Sequence, residues 1–244
     1  VGHYPESGSP ELCRALAAYH ALPAERITVA NGSTELIHLL PRLAGGSVGR
    51  ALLIAPTFSE YGHSLELAGW RLTCLCLSPE DGFALDSARV AAELVSGYDL
   101  LFFCNPGNPT GRLYAAAEVA ALYELCRRAG CFFVLDEAFI DFAAENSVGQ
   151  LPAENPDWLI LRSMTKFFGF PGLRLGYGIA SPAVTVQLQR LLPPWSVGVL
   201  AQAAALAALA DREHGRRTRE FVGQERQRLA DHLGRLPGLQ VFAA

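Results

Sequence analysis

A chain of 244 residues, half of them apolar, is long enough to bury a substantial core and is neither disordered nor fibrous in composition. Its 24 acidic side chains outnumber 20 basic ones, and no basic stripe is interleaved with aromatics, so nucleic acid is not expected as a partner. Apolar runs such as 51–55 and 100–104 are far too short to cross a bilayer, so a soluble protein with no membrane partner is expected.

In chain order, no charged-then-apolar leader precedes His3-Tyr4-Pro5. The first predicted strand, 27–30, runs through Asn31-Gly32-Ser33-Thr34-Glu35 into a helix over 33–43. Backbone amides and the positive end of a helix dipole at that turn make an anion site suited to phosphate. A strand over 51–55 is followed by Pro56-Thr57-Phe58 and a helix over 59–68, then a strand over 71–77. The strand 100–104 ends in Asn105-Pro106-Gly107-Asn108-Pro109-Thr110-Gly111, whose prolines and glycines force a sharp turn able to present the Asn108 amide. A helix over 115–129 stops at Gly130, and the strand 131–135 closes on Asp136-Glu137-Ala138-Phe139. The strand 159–162 leads to Ser163-Met164-Thr165-Lys166, and a Gly/Pro-rich turn carries the chain past Arg174 to a strand over 176–180. Helices follow over 182–191 and 197–209.

Residues 211–235 carry Arg, Glu and Gln at helical spacing, the pattern of a solvated helix face rather than a binding patch. The expected division is a large domain over 1–210, then a helix and the start of a smaller domain over 211–244. Leu239-Gln240-Val241-Phe242 reads as the beginning of a strand, the chain starts at Val1, and both ends read as cut.

Seven strands alternating with helices give an α/β fold with a mainly parallel seven-stranded sheet flanked by helices, and several strands are apolar throughout, as strands buried on both faces are. The six cysteines form no paired CxxC pattern, and they read as reduced core residues of a cytoplasmic protein. Cys74 and Cys76 share one face of a strand without a further ligand at metal-binding spacing, so no metal site is expected.

In an open α/β sheet, ligands bind beyond the carboxyl ends of the strands, where Ser163, Lys166 and Arg174 can converge on one ligand. The glycine-rich turns do not carry a nucleotide site, since neither G-x-G-x-x-G after the first strand nor a full P-loop is present.

Together these segments resemble the class I/II aminotransferases, fold-type I enzymes that use pyridoxal phosphate, and the likeness covers nearly the whole chain. The resemblance implies that Lys166 holds the cofactor as a Schiff base and moves protons at the substrate Cα. It implies that Ser163, Arg174 and the amides of Gly32, Ser33 and Thr34 bind the cofactor phosphate. It further implies that Asp136 pairs with the pyridine nitrogen, that Asn108 donates to the phenolic oxygen, and that Phe58 stacks on the ring. Tyr4 matches a tyrosine that reaches the phosphate of a neighbouring subunit, which implies a homodimer.

Within the family, the segments around Tyr61, Phe139, Lys166 and Pro194-Trp195-Ser196-Val197 look closer to the threonine-phosphate decarboxylases of cobalamin synthesis than to the histidinol-phosphate aminotransferases. Phe139 stands where most aminotransferases of the group have a tyrosine that gives the phenolic oxygen a second hydrogen bond. Gly198 departs from the asparagine expected after Pro-Trp-Ser-Val. The substrate implied is a small phosphorylated amino acid, with the aminotransferase as the alternative. A non-catalytic, cofactor-sensing domain would carry a basic DNA-binding segment and losses in the catalytic set, and neither is found in these residues.

Overall fold

The computed structural model describes residues 2–45, 48–149, 151 and 155–242. Seven strands form one sheet: β1 (Ile27–Ala30), β2 (Arg50–Ala55), β3 (Arg71–Cys76), β4 (Leu100–Cys104), β5 (Phe132–Asp136), β6 (Trp158–Ser163) and β7 (Gly176–Ala180). Their spatial order is β1-β7-β6-β5-β4-β2-β3. Neighbours from β3 across to β6 pair parallel, whereas β7 runs antiparallel to both β6 and β1. All seven strands expected to build the sheet are present, and the mainly parallel sheet is observed.

The strands that read as wholly apolar are those buried on both faces: all of Leu100, Leu101, Phe102, Phe103 and Cys104 are buried in β4. Alternate strand residues feed two separate cores. Leu101, Phe103, Phe133, Leu135 and Ile160 face one of them, completed by helices α1 (Pro10–His20), α4 (Ser87–Leu94), α5 (Ala116–Arg128) and α7 (Val199–Ala210). Phe102, Val134, Leu159 and Leu161 face the other, covered by α2 (Ser33–Ala44), α3 (Ser59–Leu67) and α6 (Pro182–Leu191).

Two of these helices were not expected. α1 starts with Pro10 in its first turn and buries Leu12, Cys13, Leu16 and Ala17, an i, i+1, i+4, i+5 stripe. α4 is only eight residues long, is capped by Asp86, which accepts from the amides of Ala88 and Arg89, and buries Val90 and Leu94. The last helix, α8 (Arg212–Leu233), buries only Gly215 and carries surface pairs such as Arg216 with Glu213 and Glu220, in keeping with a solvated face.

Two further expectations are corrected. Cys74 and Cys76 are exposed rather than core residues, because β3 is the sheet's edge strand and its Leu75 takes the buried position between them; Cys13, Cys104, Cys126 and Cys131 are buried. Leu239 to Phe242 do not form a strand, since no sheet edge pairs with them, and Phe242 instead packs its ring on Phe83 with centroids 4.9 Å apart. Among the described residues, no helix is long and apolar enough to cross a membrane.

Topology decides where the chemistry lies. Strands β2 to β6 all end at one edge of the sheet, and β1, antiparallel to β7, ends there too. β7 begins where they stop, because Ala30 and Ser163 both lie opposite Gly176. Asp136 at the end of β5 lies opposite Cys104 on one side and Leu161 on the other. The turns after β1, β2, β4, β5 and β6, and the turn before β7, therefore share one rim.

Candidate active site

Lys166 follows β6 by three residues and is exposed at this rim. Its Nζ donates to Thr165 Oγ1 at 2.7 Å and approaches Ser163 Oγ at 3.5 Å, and these two buried hydroxyls lie 2.8 Å from one another. Partial desolvation lowers the Lys166 pKa, a push that the negative charge of Asp136 opposes and Arg174 reinforces. The Phe139 ring lies 5.9 Å from Nζ, at the outer limit of a cation–π contact.

Asp136 is buried at the end of β5. Its Oδ2 accepts the Tyr61 hydroxyl at 2.6 Å and its Oδ1 accepts the Ala138 amide at 2.8 Å. Burial raises its pKa, opposed by those two hydrogen bonds and by Lys166. Each oxygen has one donor, so the carboxylate keeps acceptor capacity for another.

Arg174 occupies the left-handed region at φ 52° and donates from Nη1 to the Pro171 carbonyl at 3.1 Å. The guanidinium lies over the start of α2: a Cβ built on Gly32, itself at φ 80°, would lie 2.8 Å from Arg174 Nη2. Gly176 is pressed just as closely, since a Cβ there would collide with the Ser33 amide nitrogen and the Gly32 carbonyl carbon. Only glycine lets the α2 terminus, β7 and the arginine approach this closely. The free amides of Ser33 and Thr34 and the Arg174 charge thus lie together, as an anion requires.

Of the other expected residues, Asn108 and Phe139 line one cavity of about 630 Å³ together with Phe142 and Arg219. Phe58 precedes α3 and meets Tyr61 edge-on with ring centroids 5.6 Å apart. Thr57, beside it, has a buried hydroxyl oxygen without a hydrogen-bond partner. Tyr4 is not brought to these groups; it is 81 % exposed and stacks on Trp195 at 4.8 Å.

Two residues of the cluster were not foreseen as members of it. Thr165 was visible only as the neighbour of Lys166. Tyr61 lies three residues after Phe58, a spacing that returns to the same helix face, yet its bond to Asp136 spans 75 positions in sequence.

Flanking the site, Arg162 Nη1 and Nη2 pair with Glu137 Oε2 at 2.8 Å and Asp141 Oδ1 at 2.6 Å, all three side chains buried. The pairing ties the residue before Ser163 to the residue after Asp136, so the ends of β5 and β6 are held together.

Comparison with known proteins gives concordant matches. The aminotransferase class I and II family matches residues 2–244. The threonine-phosphate decarboxylase of Salmonella typhimurium is 37 % identical over 99 % of this chain and 66 % of its own length. The histidinol-phosphate aminotransferase of Ruminiclostridium cellulolyticum is 30 % identical over 99 % of this chain and 67 % of its own. Among solved structures, the histidinol-phosphate aminotransferase from Clostridium acetobutylicum superposes with a TM-score of 0.88 at 26 % identity, covering 99 % of this chain and 72 % of that one. The chain spans about two thirds of the length of the curated relatives it matches.

Proposed function

The chain belongs to the aminotransferase class I and II family, and on that premise we propose that it is a pyridoxal-phosphate enzyme that decarboxylates L-threonine O-3-phosphate to 1-amino-2-propanol O-2-phosphate. The observation that carries the enzyme reading is the Lys166 amine, hydrogen-bonded to Thr165 and acted on by the charges of buried Asp136 and of Arg174.

The donor set suits the cofactor at both ends. The α2 terminus with Arg174 offers positive charge and free amides to a phosphate, and Asp136 offers a buried carboxylate with spare acceptor capacity to a protonated ring nitrogen. Bound there, pyridoxal phosphate supplies an electron sink for the bonding pair released when a bond at the substrate Cα breaks.

The protein's own side chains do the rest. Ser163, Arg174 and the free amides of Ser33 and Thr34 would hold the phosphate, whereas the Gly32 amide, expected to join them, already donates to the Ala30 carbonyl at 2.8 Å. Lys166, its pKa lowered by desolvation, presents a neutral amine for the covalent link more readily than a solvated lysine does. Lys166 would also carry the proton that the substrate Cα takes up after CO2 leaves. With the cofactor bound, Phe58 would cover one face of its ring, Asn108 would donate to its phenolic oxygen, and Asp136 would keep its ring nitrogen protonated. In a homodimer, Tyr4 would serve the phosphate of the second copy, and its exposure supports that reading. We assign residues 1–210 to a large domain and residues 211–244 to a second, smaller part of the chain.

The choice of reaction rests on the likeness to the Salmonella decarboxylase and on Phe139, which brings an apolar ring towards Lys166 and lacks a tyrosine's hydroxyl. Carboxylate loss needs the Cα–carboxylate bond held perpendicular to the cofactor ring, so substrate orientation selects the outcome. The test is to supply threonine phosphate to the protein loaded with pyridoxal phosphate and trap released CO2. Stoichiometric CO2 with the amino-propanol phosphate is expected. Glutamate-driven conversion of the cofactor to its amine form without CO2 would overturn the assignment in favour of an aminotransferase.

A further inference from the structure

Tyr61 is fully buried, with its ring stacked on Phe102 at 4.5 Å and an interplanar angle of 7°, and its hydroxyl ends 2.6 Å from Asp136 Oδ2. It belongs to α3, which starts immediately after Phe58, so one short helix supports both an aromatic at the rim and a donor to the buried carboxylate. Rigid stacking fixes the direction in which the hydroxyl points, and the Ala138 amide occupies the other carboxylate oxygen.

We propose that Tyr61 is a positioning residue that sets the proton affinity of Asp136 and thereby keeps the cofactor's ring nitrogen protonated. The inference rests on the cofactor reading above. The titratable groups facing this carboxylate are few. Tyr61 comes from α3, the Cys104 thiol from β4 and Lys166 from the turn after β6. Burial, followed by the charge of Asp136, holds the Tyr61 phenol well above its ordinary pKa, so it stays a donor. Burial likewise pushes the Cys104 thiol up to about 12 and keeps it neutral.

The direction of the effect follows from hydrogen bonding to the charged form. A donor aimed at a carboxylate stabilises the anion and makes it a weaker base. A proton shared between Asp136 and the ring nitrogen is then biased towards the nitrogen. Without Tyr61 the buried carboxylate competes for that proton, and the ring withdraws electrons less well.

The experiment uses the protein reconstituted with pyridoxal phosphate carrying ¹⁵N in the ring. The nitrogen resonance is compared among wild type, Tyr61→Phe and Asp136→Asn, the last marking the position without a carboxylate partner. Tyr61→Phe keeps the ring stacked on Phe102. The expected result is a nitrogen resonance displaced towards that of Asp136→Asn, with kcat lowered about 10- to 100-fold, the range for a hydrogen bond to a charged group. An unchanged resonance in a Tyr61→Phe protein that still binds the cofactor overturns the inference, and a lower Tm alongside it would make Tyr61 a packing residue only. A wild type with no lysine-linked absorbance band overturns the cofactor reading itself, and this inference with it.

Discussion

His20, at the end of α1, lies with its Nε2 2.7 Å from the Tyr177 hydroxyl of β7, next to the buried Arg162, Glu137 and Asp141 group. Burial, reinforced by the Arg162 charge, lowers its pKa from 6.5 to about 3. The folded protein therefore keeps this imidazole neutral while the unfolded chain protonates it. A depressed folded-state pKa contributes stability that is present above pH 6.5 and is lost as pH falls towards 3. Asp136 and Glu137 have folded pKa values raised by burial and so act with the opposite sign. The His20 share is isolated by comparing wild type with His20→Gln in urea at pH 7 and pH 5. The stability advantage of wild type should shrink by on the order of 1–2 kcal/mol at the lower pH. An advantage that stays constant would mean that His20 is not held neutral.

At the scale of elements, the start of α2 is the part most dependent on backbone geometry. Gly32 adopts a positive φ and lets the Arg174 guanidinium lie on the peptide. Gly32→Ala forces a left-handed alanine and moves Arg174 by the far end of its side chain, costing about 1–3 kcal/mol in backbone strain. It should also weaken cofactor binding about tenfold or more, because the phosphate loses the charge aimed at it. Gly198→Ala is the control, since a Cβ there has nothing within 4 Å and the backbone is extended at φ −67°. Absorbance titration with pyridoxal phosphate reads both variants; equal affinities would remove Gly32 from the phosphate cradle.

The seven strands were legible because runs such as Leu100 to Cys104 are apolar throughout and end in glycine, proline or carboxylate signals. Lys166, Asp136 and Arg174 were legible because each sits at or beside a strand end, and topology sends those ends to one rim. α4 escaped notice because it is short and offers only Val90 and Leu94 to the core, so Asp86 was its one strong signal. The exposure of Cys74 and Cys76 was hidden because strand order, not composition, puts β3 at the edge. Tyr61 was noticed only as a mark of resemblance; its bond to Asp136 escaped because it is a relation between α3 and β5, created by packing across Phe102.

Across the whole molecule, the sheet acts as a frame that assembles ligand-binding turns at one rim from segments as distant as Gly32 and Arg174. Lys166 is the single lysine among the 244 residues, every other cationic side chain being arginine or histidine. No second lysine in this chain can take its place in a covalent link to the cofactor. Reducing the cofactor-loaded protein with borohydride and mapping the modified peptide therefore identifies the residue that holds the cofactor. A phosphopyridoxyl group on Lys166 is expected, with no fixed cofactor in Lys166→Ala. A label on the α-amino terminus, or a reducible band that persists in Lys166→Ala, would contradict it.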